Sequence, residues 1–144
     1  MTVRPPILGI DPGSARIGVA ISDELQMLAH PLETIPAGPH ALARICELVR
    51  ERKIDIVVVG IPRRMSGETG PAARRALEFV DKLRAALPCD VIPWDERLTT
   101  VAANRALREA GKKTRETRQY VDQLAAQMIL QGFLDSRAQE PIRR

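Results

Sequence analysis

The sequence is poor in aromatic residues, with one Trp, one Tyr and two Phe in 144 residues. That leaves little material for the aromatic platforms on which many single-strand binders stack bases. It also means that the core must be built from Val, Ile, Leu and Ala. Cysteine is as scarce: Cys46 falls in a helical pattern and Cys89 in a short turn. Neither a disulfide framework nor a thiolate metal site is expected from two unpatterned thiols. The two histidines, His30 and His40, flank prolines and belong to no cluster, so imidazole chemistry is not the leading candidate. No stretch approaches the roughly eighteen apolar residues of a membrane span. Nor does the N-terminus carry a charged segment leading into a hydrophobic signal region. A cytoplasmic protein with no membrane association is the expectation.

What is present suits a soluble globular chain. Hydrophobic residues make up 44%, enough for one domain over residues 1–138 followed by a polar tail at 139–144. Twenty-two Lys and Arg against eighteen Asp and Glu give a formal charge of +4, which permits a polyanionic partner without requiring one. The basic residues are unevenly spread. Between Arg97 and Arg118 lie Arg97, Arg105, Arg108, Lys112, Lys113, Arg115 and Arg118, opposed only by Glu109 and Glu116. Such a run is either a solvated face or a phosphate-binding one.

The chain opens with two apolar strands, Ile7 to Ile10 and Ile17 to Ser22, joined by Asp11-Pro12-Gly13-Ser14. So short a connection predicts an antiparallel hairpin. Met27 to Ile35, interrupted by Pro31, reads as a third strand near the sheet edge. Pro39 then starts a helix with Leu42, Ile45, Cys46 and Val49 at helical spacing. Ile54 to Val59 is the most hydrophobic strand and ends at Gly60; reached through a helix, it is expected parallel to the first strand. A polar, Gly-rich loop (Pro62 to Gly70) leads to a helix starting at Pro71, with Ala76, Val80, Leu83 and Leu87 on its apolar stripe. Val91, Ile92 and Trp94 form the last strand. Thr99 or Thr100 can cap a helix carrying Val101, Ala103, Leu107 and Ala110. A final helix, roughly Thr117 to Leu134, has Val121, Leu124, Ala125, Met128 and Gly132 as its predicted apolar stripe. This order predicts an α/β layered domain with a mixed sheet.

Sites in such sheets collect beyond the carboxyl ends of parallel strands. Asp11 ends the first strand, Asp95-Glu96 ends the last, and the Arg63-Arg64 loop leaves the strand between them. Asp122 stands between Ile129 and Phe133 on a wheel of about 100° per residue, at the margin of the apolar stripe. Three carboxylates brought together need a cation between them. With no His or Cys cluster, that cation would be oxygen-seeking, Mg²⁺ or Mn²⁺, able to activate water against a phosphodiester. Each carboxylate also has a plain structural reading: Asp11 as a turn cap, Asp122 as the salt-bridge partner of an arginine. Arg16 and Arg97 are close in sequence to these acids and suit phosphate contact or carboxylate pairing equally.

The combination Gly9-Ile10-Asp11-Pro12-Gly13, Arg16-Ile17-Gly18-Val19-Ala20, Asp23, Val58-Val59-Gly60-Ile61-Pro62, Asp95-Glu96-Arg97-Leu98-Thr99-Thr100 and Asp122-x-x-Ala125-Ala126-x-x-Ile129-Leu130-Gln131 resembles the YqgF family. These are Holliday-junction-resolvase-like proteins with an RNase H-like fold, associated with maturation of the 5′ end of pre-16S rRNA. The resemblance runs from Ile7 to Asp135. It implies a five-stranded mixed sheet with helices on its faces and a catalytic, metal-holding set at Asp11, Glu96 and Asp122. Gly13, Arg16, Gly18, Asp95, Arg97 and Thr99 match further family positions. The strand ending at Gly60 carries no carboxylate, unlike the resolvases, and Glu96 stands in for it. The first loop departs from the family at Ala15, where a lysine is usual before the arginine.

The leading expectation is therefore a metal-dependent nuclease acting on structured or precursor rRNA, in association with pre-ribosomal particles. Arg16, Arg63, Arg64, Arg97, Arg105, Arg108, Lys112, Lys113 and Arg115 are its candidate nucleic-acid contacts. One alternative is junction or single-stranded DNA cleavage by the same machinery; the chain itself is expected as a monomer or weak homodimer. Another is a nucleic-acid-binding or ribosome assembly factor that does not use its acidic site.

Overall fold

The structure, a computed structural model, describes residues 3–63, 66, 68–98 and 115–138. Its elements are β1 (Ile7–Pro12), β2 (Arg16–Ser22), β3 (Ala29–Pro36), α1 (Ala41–Glu51), β4 (Ile56–Ile61), α2 (Pro71–Ala86), β5 (Asp90–Asp95), a 3-10 turn (Glu96–Leu98) and α3 (Arg115–Ala138). The five strands form one sheet in the order β3-β2-β1-β4-β5. β1, β2 and β3 pair antiparallel in sequence, whereas β4 and β5 run parallel to β1. This is the mixed RNase H-like α/β architecture expected from the sequence. Among the described residues no helix is long and apolar enough to cross a membrane. The helix expected after Thr99 or Thr100 lies outside the described residues, as does the tail at 139–144.

The end of β1 and the start of α1 differ from the sequence reading. The ladder to β4 ends at Ile10↔Val59, but the ladder to β2 continues through Asp11↔Gly18 to Pro12↔Ile17. Asp11 thus stays in strand conformation beside β2, one position past the end of the β4 ladder. Helix α1 begins at Ala41, not at Pro39. Gly38, at φ +142°, turns the chain, and Arg44 N–H makes the first helical bond to the His40 carbonyl. Pro93 and Pro31 lie in the two edge strands, where a missing N–H does least harm.

Alternation along the strands sorts side chains onto two faces. One face sends Leu8, Ile10, Ile17, Val19, Val57, Val59, Ile61 and Val91 against Ile45 and Leu48 of α1 and Ala76, Val80 and Leu83 of α2. The other packs Ile7, Ala20 and Val58 against Ala125, Ala126, Ile129, Leu130, Phe133 and Leu134 of α3. The buried stripe of α3 therefore differs from the predicted one. Only Ala125 is shared, and Val121, Leu124, Met128 and Gly132 are half-buried. The rotation, about 130° around the helix axis at about 100° per residue, carries Asp122 from the margin of the predicted face to within the buried one.

Glycines set how close α3 comes. A Cβ on Gly18 would stand 2.1 Å from the Asp122 carbonyl oxygen, and one on Gly9 would stand 2.6 Å from Leu130 Cβ. Both clash with groups that cannot swing aside, so only glycine admits this approach. Three glutamines one helical turn apart then fix α3 along β3. Gln123 Nε2 donates to Thr34 Oγ1 at 3.0 Å, Gln127 Nε2 to the Ala29 carbonyl at 2.9 Å, and Gln131 Oε1 accepts from Ala29 N–H at 2.9 Å.

Candidate active site

The predicted acids all lie on the α3 side of the sheet. Asp11 follows Ile7 and Gly9 on that face of β1, just past the end of the β4 ladder, and is 3% exposed. Glu96 opens the 3-10 turn after β5 and is 1% exposed. Its Cγ lies 3.4 Å from where a Cβ on Gly60 would be, so Glu96 sits over the carboxyl end of β4, next to Ile129. Asp122 enters from α3, its backbone against Gly18, the β2 partner of Asp11. A strand, a turn and a helix far apart in sequence thus place the three acids on the α3 side of the sheet.

The neighbouring acid takes a different course. Asp95 is gripped by Arg97, whose Nη2 lies 2.6 Å from Oδ2 and whose backbone N–H donates to Oδ1 at 2.9 Å; Arg63 Nε stands 3.9 Å away. The Arg97 hydrogen bonds hold the Asp95 carboxyl below its ordinary value of 3.8, against the opposing effect of burial. Of the two adjacent acids, then, Glu96 is the buried one facing α3 and Asp95 is an arginine clamp at the surface. Trp94, at an edge-on 6.1 Å from Phe133, props β5 against α3 beside them.

Asp122 accepts a hydrogen bond from Arg16 Nε at 2.6 Å. The salt-bridge reading of Asp122 is therefore realised, with Arg16 as partner. Among the described residues no three His, Cys, Asp or Glu side chains are grouped closely enough to hold an ion between them. The donor chemistry of Asp11 and Glu96 nonetheless fits a hard divalent cation: both are carboxylates, and His30 and His40 lie exposed on β3 and at the start of α1.

The loop between β1 and β2 is tight. Gly13 N–H donates to the carbonyls of Asp11 (3.1 Å) and Arg16 (3.0 Å), and a Cβ on Gly13 would meet the Arg16 oxygen at 2.3 Å. Ala15 is exposed there, its carbonyl accepting from Ala37 N–H. Of the predicted phosphate contacts, Arg16, Arg63 and Arg97 are each engaged with a carboxylate. Arg64, Arg105, Arg108, Lys112 and Lys113 lie outside the described residues, and Arg115 is the first residue of α3. The glutamine series of α3 was missed by sequence reasoning; its only signal is the spacing of four between Gln123, Gln127 and Gln131.

An RNase H-like sheet with buried carboxylates near the carboxyl ends of its strands is the architecture of a nuclease class. The sequence pattern described as "RuvX: Holliday junction resolvase" matches residues 5–136, and the chain belongs to this family of nucleases, the one also called YqgF. A protein of Chloroflexus aggregans named "Putative pre-16S rRNA nuclease" is 52% identical over 133 residues, covering 91% of this chain and 94% of its own. One of the same name from Bacillus cereus is 45% identical over 135 residues, covering 91% and 98%. Thermus thermophilus RuvC, solved with a Holliday junction substrate, shares the fold with a TM-score of 0.57 at 18% identity, over 94% of this chain and 97% of that one.

Proposed function

We propose that the protein hydrolyses phosphodiester bonds in precursor 16S rRNA, maturing its 5′ end in the cytoplasm on pre-ribosomal particles, with Asp11, Glu96 and Asp122 as its catalytic and metal-holding carboxylates. The observation that carries this reading is the burial of Asp11 and Glu96 on one side of the sheet, at the ends of strands β1 and β5, where α3 adds Asp122. Buried carboxylates are costly unless a cation or donor offsets them. Bound Mg²⁺ or Mn²⁺ would supply the charge that activates a water and stabilises the phosphorane-like transition state. Asp11 and Glu96 would orient that charge, fixed by β1 and by the turn after β5. Arg16, Arg63 and Arg97 at the same rim, with the basic run from Arg105 to Arg115, suit phosphates read by charge rather than by base. The substrate is inferred from the names of the curated relatives at 45–52% identity.

The test is cleavage of precursor rRNA in the presence of Mn²⁺ with the product ends mapped. Asp11→Asn should lower the rate by at least about a thousandfold while RNA binding stays intact; a variant cleaving at the wild-type rate would refute the site. Junction DNA is the second reading, favoured by the description of the matched family. It demands two opposed active sites and hence a symmetric dimer. Cutting of a four-way junction by a dimeric species, with precursor rRNA untouched, would establish it in place of the first.

A further inference from the structure

The Arg16–Asp122 ion pair differs from the Arg97–Asp95 and Arg44–Glu33 pairs. Arg97 clamps Asp95 two residues away through several hydrogen bonds, and Arg44 grips both oxygens of Glu33 at 2.7 Å. Arg16 instead reaches across 106 positions to place Nε on Oδ2 of Asp122, a residue whose backbone lies against Gly18, Asp11's strand partner. The pair is half-buried, with side chains 33% and 18% exposed, so it can open without opening the core. The backbones on either side are fixed. The Asp122 carbonyl lies against Gly18, and the Arg16 carbonyl accepts from Gly13 N–H. Any exchange at this carboxylate is therefore a rotation of side chains, in which Arg16 leaves and Asp122 stays at the rim.

We propose that Arg16 is an exchangeable counter-ion: a divalent cation and the Arg16 guanidinium compete for Asp122, and the displaced guanidinium is delivered to the substrate phosphate. The inference rests on the reading of Asp122 as part of a metal-holding set and adds to it a reason for the arginine. A positive charge on Asp122 opposes cation binding by whatever the ion pair contributes, and by linkage a bound cation weakens the ion pair equally. Planar, multidentate guanidinium groups suit phosphate better than they suit a single carboxylate oxygen. Arg16 thus serves two anions in turn, making high metal affinity conditional on a phosphate being present to receive it.

Calorimetric titration with Mn²⁺ alone tests this on the wild type, Arg16→Gln and Asp11→Asn. The expected result is tighter Mn²⁺ binding by Arg16→Gln, by about three- to tenfold, the range of a half-exposed, charge-assisted pair. A merely structural arginine predicts the opposite sign, since losing it would leave Asp122 less well placed. Unchanged or weaker binding by Arg16→Gln overturns the competition while leaving the metal site standing. If the wild type takes up no Mn²⁺ that Asp11→Asn abolishes, the metal-site reading fails first and this inference with it. Should Arg16→Gln fail to give the wild-type circular dichroism spectrum, Arg16→Lys, which loses the Nε contact, carries the test with the same sign at about twofold.

Discussion

The two faces of the sheet are built on opposite principles. Toward α1 and α2 the strands present a nearly unbroken field of branched aliphatic side chains, and the helices answer with Ile45, Leu48, Val80 and Leu83. Toward α3 the same strands set glycine, alanine and carboxylate beside a smaller aliphatic cluster: Gly9 and Asp11 with Ile7 on β1, Gly18 and Ala20 on β2, Gly60 with Val58 on β4. Side-chain volume holds the first interface. The second adds backbone proximity and hydrogen bonds from glutamines to the packing of Ile129, Leu130, Phe133 and Leu134. The difference separates a face built for stability from the one on which the proposed site would lie. A face filled with aliphatics has no room for a substrate phosphate, and a floor of glycines brings a helix close enough to complete a polar site.

Leu83→Ala tests the first face and should have the largest effect on stability. Leu83 is fully buried, and truncation should cost about 2–5 kcal/mol by denaturant unfolding while leaving the rate per folded molecule unchanged. A specific rate that falls in step with stability would show that the two faces are coupled. Gly18→Ala tests the second. Its methyl would overlap the Asp122 carbonyl, so α3 must shift; a loss of about 1–3 kcal/mol is expected, with cleavage falling well beyond the fraction unfolded. Normal activity in that variant would mean that the α3 register does not matter to the site.

The smallest effect should come from the surface pair Glu33–Arg44, outside both cores. The Arg44 hydrogen bonds depress the Glu33 carboxyl below its ordinary 4.5. A depressed carboxyl stabilises the fold above its unfolded-state pKa, and that increment is lost as pH falls through the folded value. Arg44→Met should therefore lower Tm at neutral pH, by about a few degrees at most. The difference from wild type should shrink below about pH 4.5 and vanish once Glu33 is protonated in both states. A difference that persists in acid would assign the loss to packing of the arginine stem.

Much of this arrangement can be read in the sequence. Continuous apolar runs gave β1 and β4, the short loop gave the antiparallel hairpin, and the intervening helix gave the parallel pairing of β1 and β4. Asp11 and Glu96 could be placed on one rim because strand ends are legible. The face of α3 was not, for a physical reason. Its predicted stripe followed hydrophobicity, but a floor of glycines accepts Ala126, Ile129 and Leu130 at close range and leaves Leu124 and Met128 half-buried. The glutamines were invisible because a polar residue on a helix ordinarily faces water. The partnership of Arg16 with Asp122 could be framed only as one option, since nothing local connects residues 106 positions apart.

The grip of α3 on β3 also bears on how copies of this protein can meet. A strand at the edge of a sheet invites another to pair with it through its free N–H and C=O groups. Here the N–H and C=O of Ala29 are occupied by Gln131 and Gln127, and the Met27 carbonyl by Gln131. The leading end of β3 is thereby closed to strand addition by side chains of the same helix that carries Asp122. Sheet extension through that end would require Gln127 and Gln131 to release Ala29 and Met27, so self-association by that route competes with the hydrogen bonds that set α3 along β3.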